Sequence, residues 1–310
     1  MNNSFCSLCS RPLKAKLFAA PDGNDNNKLY SFYQCAGCTL VQIRPFPNKK
    51  KIDKYYSYVD ADNHAKIKNQ QINFLYNLPL GKIMLKKYID LCYQQRYQLI
   101  IKLHTKGRIL DIGCGEGSFL KKFTPEKWQR VGIEINKNLA RSASLKLKNT
   151  IISTKPLESA SLPINKLEII TMWHVLEHIN NPTLVLESIK KLINPNGYLV
   201  IEVPHGNSLY RKIFRENWQM LLLPQHLFFW TGKSITRILK ETGFQTVRVS
   251  YPGIISFSGS SSLANFLRSK KVNTYIATLI AILFFPLVLI INILSLKTRD
   301  NMLIIAKLKT

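Results

Sequence analysis

Hydrophobic and polar positions along this chain change their period near residue 108. Before it, residues 63–105 set Ile, Leu and Tyr among long polar side chains at helical spacing, broken at NLPLG (77–81), which predicts two or three helices. After it, strand-like apolar runs follow one another at RILDIG (108–113), RVGIEI (130–135), TIIS (150–153), LEIITMW (167–173), GYLVIEVP (197–204) and QTVRVSY (245–251), with helical patterns between them. Strand–helix alternation of this kind predicts an α/β fold around a mostly parallel sheet. Residues 252–299 interrupt the rhythm, and MLIIAKL (302–308) resumes it as a last strand. Residues 1–48 read as short strands and turns, with PDGNDNN (21–27) an exposed loop. The chain thus divides into a turn-rich module (1–48), a helical bridge (49–105), an α/β domain (106–251 with 300–310) and an apolar insertion (252–299).

Composition adds a charge argument. Forty-four Lys and Arg against 18 Asp and Glu give a formal +26, which favours anionic partners such as an acidic bilayer surface, a phosphorylated substrate or nucleic acid. The lysines are scattered along the chain, which weakens the nucleic-acid reading. The opening MNNSFCSLCS has no basic n-region followed by an apolar run, so a reducing compartment is expected. There, cysteine pairs serve metals more often than disulfides. Cys6-x2-Cys9 and Cys35-x2-Cys38 form two knuckles around residues 10–34. Four thiolates suit tetrahedral zinc and leave no open position for catalysis, so a structural zinc ribbon is predicted.

ILDIGCGEGSFL (109–120) places Gly113, Gly115 and Gly117 between an apolar strand and an expected helix start. Such a turn lets the backbone approach a ligand closely, and a helix N-terminus behind it receives anions. The spacing is GxGxG, whereas the dinucleotide fingerprint requires Gly at Ser118. Asp111 precedes the loop and Glu134 ends the next strand, where an acid grips ribose hydroxyls. With LDIGCGEGSFL (110–120), VGIEIN (131–136), IITMWHVLEHINNP (169–182), LINPNGYLVIEVPH (192–205) and PQHLFFWTGKSITRILKETGF (224–244) in this order, the chain resembles the class I S-adenosylmethionine (SAM)-dependent methyltransferases, in the subset preceded by a CxxC…CxxC zinc module. The resemblance implies a Rossmann-like seven-stranded sheet. It implies that Gly113, Gly115 and Gly117 face the methionyl part and sugar of SAM. It puts Asp111 at the SAM ammonium, Glu134 at both ribose hydroxyls, and Met172 and Trp173 near the adenine or sulfonium. Glu168 stands where the family usually has Asp.

Methyl transfer to a hydroxyl needs alignment and a proton acceptor, and a neutral His suits the second task near pH 7. His174 and His226 are the catalytic candidates. His178 is expected to pack and Glu177 to fix a loop as a hydrogen-bond acceptor. Zinc-module sugar C-methyltransferases carry Tyr-x-Glu-His near the position of His226. Here Leu223 and Gln225 occupy the Tyr and Glu places, which favours O-methylation.

No charged side chain occurs between Lys271 and Lys297, a stretch long enough to span a bilayer. In the resembled fold the last two strands are antiparallel neighbours, so the insertion must return to the side it left. Both flanks are basic (Arg268, Lys270, Lys271; Lys297, Arg299), and Pro286 invites a bend. The expectation is a monotopic element in the cytoplasmic leaflet of the inner membrane. The function expected is O-methylation of a sugar, glycan precursor or lipid-linked metabolite, as in surface-polysaccharide biosynthesis. The alternatives are an RNA methyltransferase with a zinc-ribbon RNA-binding module, or a catalytically silent membrane adaptor.

Overall fold

A computed structural model describes residues 4–48, 52 and 79–309, apart from 14, 24, 165, 254 and 255. Most of the first half of the expected helical bridge lies outside the described residues. Strands β1 (Ala15–Asp22), β2 (Asp25–Gln34) and β3 (Val41–Arg44) are followed by a long helix, α1 (Pro79–Leu103). The alternating part comprises β4 (Gly107–Ile112), β5 (Trp128–Ile133), α2 (Lys137–Lys146), β6 (Thr150–Ser153), β7 (Leu167–Trp173), α3 (Pro182–Leu192) and β8 (Ile193–Pro204). Helix α4 (Leu209–Phe214), the two-residue β9 (Phe228–Phe229), α5 (Gly232–Glu241) and β10 (Phe244–Ser250) lead to α6 (Ser258–Ser269), α7 (Thr274–Leu283), α8 (Phe285–Leu294) and β11 (Asn301–Leu308).

Seven strands form one sheet in the order β10-β11-β8-β7-β4-β5-β6. The pairs β4–β5, β4–β7, β5–β6 and β7–β8 are parallel, and β11 runs antiparallel between β8 and β10. Helices cover both faces, so the central strands bury consecutive residues such as Ile109–Leu110 and Leu199–Val200–Ile201. Helix starts are set by side chains that satisfy otherwise orphaned N–H groups. Asn136 caps α2, Asn181 caps α3 with Pro182 in the first turn, and Thr231 with Ser234 forms a reciprocal capping box on α5.

A second, antiparallel sheet has the order β1-β2-β3-β9. Its last strand comes from residues 228–229, so the cysteine-bearing N-terminal segment pairs directly with the loop that carries His226. Val41 pairs with Phe229 and Gln42 with Phe228. The Thr39 and Thr231 hydroxyls lie 2.6 Å apart, and Ile43 N donates to Leu227 O at 3.1 Å. Phe18, Phe32, Phe229 and Trp218 continue one aromatic core across the junction.

The apolar insertion is not one continuous helix. Helices α7 and α8 are bent by 48°, with Pro286 in the first turn of α8, where its missing N–H does no harm. At about 1.5 Å per residue each spans about 15 Å, half of a bilayer core. Among the described residues no single helix is long and apolar enough to cross a membrane. Ala277, Ala281, Val288 and Asn292 turn inward, while Tyr275, Leu279, Leu283, Leu287, Ile290 and Leu294 are exposed. Arg299, expected as a basic flank, is buried instead. Its guanidinium donates to Asn292 O at 2.7 Å and Tyr251 O at 2.9 Å, closing the return of the chain to β11.

Helix α6 fastens this insertion to the body with a small-residue face of Ser258, Gly259, Ser260, Ser262 and Ala264. A Cβ at Gly259 would meet the Tyr210 ring at 2.6 Å, and that ring is held by its hydroxyl bond to Asn292 Oδ1 at 3.1 Å. Gly259→Ala therefore lowers stability by about 1–3 kcal/mol through overpacking, although Ala is the better helix former. Urea denaturation of the full chain checks this; a stability gain contradicts the packing described.

Candidate functional site

The glycine turn follows β4. Gly113, Gly115 and Gly117 all have left-handed backbones, with φ of +74°, +56° and +77°. Two of them are fixed by packing. A Cβ at Gly113 would strike Val175 at 2.5 Å, and one at Gly117 would strike Leu147 at 2.4 Å. A Cβ at Gly115 would meet nothing within 4 Å, so this backbone faces the open space where a ligand can approach. The helix expected behind the loop is absent. Only a 3-10 turn, Leu120–Lys122, follows, because Gly117 is left-handed and Pro125 stops the chain a few residues on. No helix N-terminus is available there for an anion.

Glu134 lies just past β5 and curls toward the turn. Its Oε2 accepts from Gly115 N and its Oε1 from Asn136 N, both at 2.9 Å. Burial raises its pKa against those two bonds. Asp111, on β4, is enclosed, and its Oδ1 accepts from Thr171 Oγ1 at 2.6 Å. Burial pushes this carboxyl up to about 7, with Thr171 and Arg96 opposing and Glu134 reinforcing the rise. Met172 is fully buried in the sheet core, whereas Trp173 is slightly exposed at the rim. Phe119 packs edge-on against the indole at 5.1 Å, and the Arg96 guanidinium lies 4.6 Å from its centroid. Trp173 Nε1 is buried with no hydrogen-bond partner. An approachable glycine backbone, two enclosed carboxylates and an orphaned indole N–H form a cradle that fits a nucleoside-bearing cation.

Arg96 and Glu202 belong to the site and were not singled out in the sequence, although Glu202 lies within LINPNGYLVIEVPH. Arg96, on α1, donates from Nε to Glu202 Oε2 at 3.0 Å. Burial alone would raise the Glu202 pKa; Arg96 and His174 reverse this and hold it at about 2. The detectable signal was an acid inside the apolar run LVIEVP. Arg96, one cation in a polar helix, gave none. Glu168 is a structural residue: it receives Arg108 Nη2 at 2.8 Å and Arg108 Nε at 3.1 Å, tying β4 to β7.

The two histidine candidates differ. His174 follows β7 with φ +57°. Its Nδ1 is 3.3 Å from Glu177 Oε1 and its Nε2 is 3.5 Å from Glu202 Oε1. Burial opposes its charging, but these carboxylates prevail and raise its pKa. His226 is buried and Nδ1 meets Met220 O at 2.7 Å, leaving Nε2 turned toward Glu177 Oε1 at 3.9 Å. His178 meets Gln225 O through Nδ1 at 3.1 Å, and its ring packs against that of His226 with centroids 4.6 Å apart. Glu177 is fully buried with neither carboxylate oxygen in a hydrogen bond. It is therefore not the loop-fixing acceptor expected from sequence; that task falls to its backbone O, which accepts from Leu227 N at 2.9 Å.

The four cysteines converge. Cys6 and Cys38 Sγ are 3.5 Å apart, Cys9 and Cys35 Sγ 3.4 Å, and all four lie within 4.8 Å of one another. A tetrahedral Zn–S4 centre with bonds of about 2.3 Å requires sulfur separations of about 3.8 Å, so the set permits zinc. The hydrogen bond from the Cys38 thiol draws Cys6 down to about 5, and the same contact pushes Cys38 up.

Residues 85–249 match a family model described as a methyltransferase domain. An uncharacterized protein of Methanocaldococcus jannaschii is 25% identical over 163 residues, 52% of this chain and 76% of that protein. A ubiquinone biosynthesis O-methyltransferase of Vibrio cholerae is 29% identical over 105 residues, 32% of this chain and 43% of that enzyme, so the match spans less than half of it. A solved SAM-dependent methyltransferase from Archaeoglobus fulgidus aligns with a TM-score of 0.49 at 22% identity, over 70% of this chain and 93% of that one. With the family match extending over more than half of its length, the chain belongs to the methyltransferase domain family and is a SAM-dependent methyltransferase.

Proposed function

We propose that the chain methylates a hydroxyl oxygen of an amphiphilic acceptor, a lipid-linked sugar or glycan precursor, at the cytoplasmic face of a membrane. The observation that carries the acceptor class is the exposed apolar surface of α7 and α8, beside the exposed cations Lys270, Lys271 and Lys297. Each such cation adds about 1 kcal/mol of attraction near an acidic lipid surface. A pair bent by only 48° does not turn back on itself, so it lies along the interface of one leaflet with its exposed apolar side down and both ends on the same face. The O-methyltransferase names of the ubiquinone-biosynthesis relatives favour an oxygen acceptor.

When bound, SAM supplies an electrophilic methyl carbon on a sulfonium. The residues here orient it. The Gly115 backbone admits the methionyl chain and sugar. Each Glu134 oxygen, already accepting one N–H, keeps a second lone pair for a ribose hydroxyl. Asp111 answers the ammonium. Trp173, with Met172 behind it, bounds the adenine or sulfonium side. Of the two histidines, His226 is sealed against Glu177, whereas the His174 side chain is 24% exposed, and one of its ring nitrogens, now facing Glu177 and Glu202, would have to turn to the acceptor hydroxyl to take its proton. Zinc on Cys6, Cys9, Cys35 and Cys38 holds the N-terminal sheet in shape and takes no part in transfer.

Flotation tests the membrane reading. The full chain should rise with phosphatidylglycerol vesicles, rise less with phosphatidylcholine, and stay in solution as Leu283→Asp/Leu294→Asp. With methyl-tritiated SAM and a membrane extract, label should enter the lipid-extractable fraction. Label entering RNA, or a chain indifferent to both vesicles, overturns the acceptor class.

Asp111 sets a pH dependence. Its folded-state carboxyl titrates at about 7, and only the ionised form attracts a cation. Calorimetric SAM affinity should thus be highest above pH 7 and about tenfold weaker at pH 6. Asp111→Asn should flatten the profile. An affinity that rises toward acid pH contradicts the role given to Asp111.

Metal analysis should find one zinc per chain in the ribbon. Cys35→Ser, or a strong chelator, should speed amide exchange in β1–β3 and in residues 227–229 while β4 and β7 stay protected. Unchanged exchange with zinc removed would mean that the cysteines pack without the metal.

A further inference from the structure

The geometry points to a second metal site: Glu177, His178 and His226 form a buried two-histidine, one-carboxylate centre for a divalent transition cation of the Mn2+/Fe2+ type. Their ligand atoms lie within 4.8 Å of one another. Three independent features favour a cation.

The first is Glu177 itself. Its side chain is fully buried, and its nearest polar neighbours are imidazole nitrogens, His174 Nδ1 at 3.3 Å and His226 Nε2 at 3.9 Å from Oε1, with no full hydrogen bond to either oxygen. A buried carboxylate so weakly answered is expensive, and a coordinated cation is one of the few groups that offsets it.

The second is tautomer control. His178 and His226 each direct Nδ1 at a backbone carbonyl, Gln225 O at 3.1 Å and Met220 O at 2.7 Å. A carbonyl accepts only, so each Nδ1 carries the proton and the lone pair resides on Nε2. Metal-ligating histidines are oriented by this second hydrogen bond.

The third is backbone fixation. Glu177 O accepts from Leu227 N at 2.9 Å, stapling the turn that bears Glu177 and His178 to the residue after His226. The ligands thus come from two loops locked together rather than from mobile side chains. Bonds of about 2.1 Å set neighbouring ligand atoms about 3.0–3.4 Å apart, so the 3.9 Å between His226 Nε2 and Glu177 Oε1 closes by about 0.5–0.9 Å. Imidazole and carboxylate without sulfur suit Mn2+ and Fe2+, with Zn2+ as the competing occupant. The centre lies beyond the end of β7, three residues from His174, where an oxygen acceptor would take an open coordination position.

This inference goes beyond the methyl-transfer reading, and metal uptake is measured without SAM or acceptor, so either can fail alone. The full chain, zinc-loaded in its ribbon, is titrated with Mn2+ and followed by electron paramagnetic resonance and thermal melting. One Mn2+ per chain should bind and raise the melting temperature. Glu177→Gln and His226→Gln should each weaken Mn2+ at least tenfold, with zinc content unchanged. Without Mn2+, Glu177→Gln should melt no lower than the native chain, because it removes a buried charge. That variant folds whether or not the inference holds, so its Mn2+ response is decisive. No uptake at millimolar Mn2+, or uptake by both variants equal to that of the native chain, overturns the site.

Discussion

The site depends on an imbalance of buried charge. In a chain with a formal +26, Asp111, Glu134, Glu177 and Glu202 are all buried at or just beyond the carboxyl ends of β4, β5, β7 and β8. Arg96 neutralises Glu202 and holds it ionised. The other three are answered incompletely: Asp111 by a hydroxyl, Glu134 by two amides, Glu177 by no hydrogen bond. Desolvated acids of this kind cost the fold stability until a cation arrives. The pocket is thus tuned for positive ligands while the outer surface is tuned for negative ones. A sulfonium donor that also carries an ammonium suits such a pocket, and parallel strands deliver the acids there because ligands sit beyond their carboxyl ends.

The N-terminal sheet is part of the same construction. It borrows β9 from the loop that carries His226, shares the Phe32–Phe229 contact, and ties Thr39 to Thr231 at the start of α5. Cysteine geometry, strand pairing and the position of His226 are therefore linked through a few hydrogen bonds and one aromatic cluster.

Local patterns were legible in the sequence because single residues or short spacings determine them. The GxGxG turn needs left-handed backbones, the CxxC pairs need one metal-sized point, and apolar runs doubly covered by helices announce central strands. Pairing of the last two strands followed from the resemblance and appears as Ser250 opposite Leu303. Features set by tertiary contact were not legible. Arg96 matters only because α1 lays it over Trp173, and Glu177 only because its neighbours leave its carboxylate dry. The expected helix after the glycine turn failed because Gly117 and Pro125 oppose it locally. The expected lipid-facing Arg299 failed because two backbone carbonyls claim its guanidinium.

The chain leaves β10 and re-enters at β11 at adjacent points of one ladder. Everything between is an excursion from one edge of the sheet, since β10 and β11 pair directly. The donor pocket lies at the other strands, so the length of this excursion is set independently of the pocket's geometry. A change in that segment therefore need not disturb the acids at the ends of β4, β5 and β7.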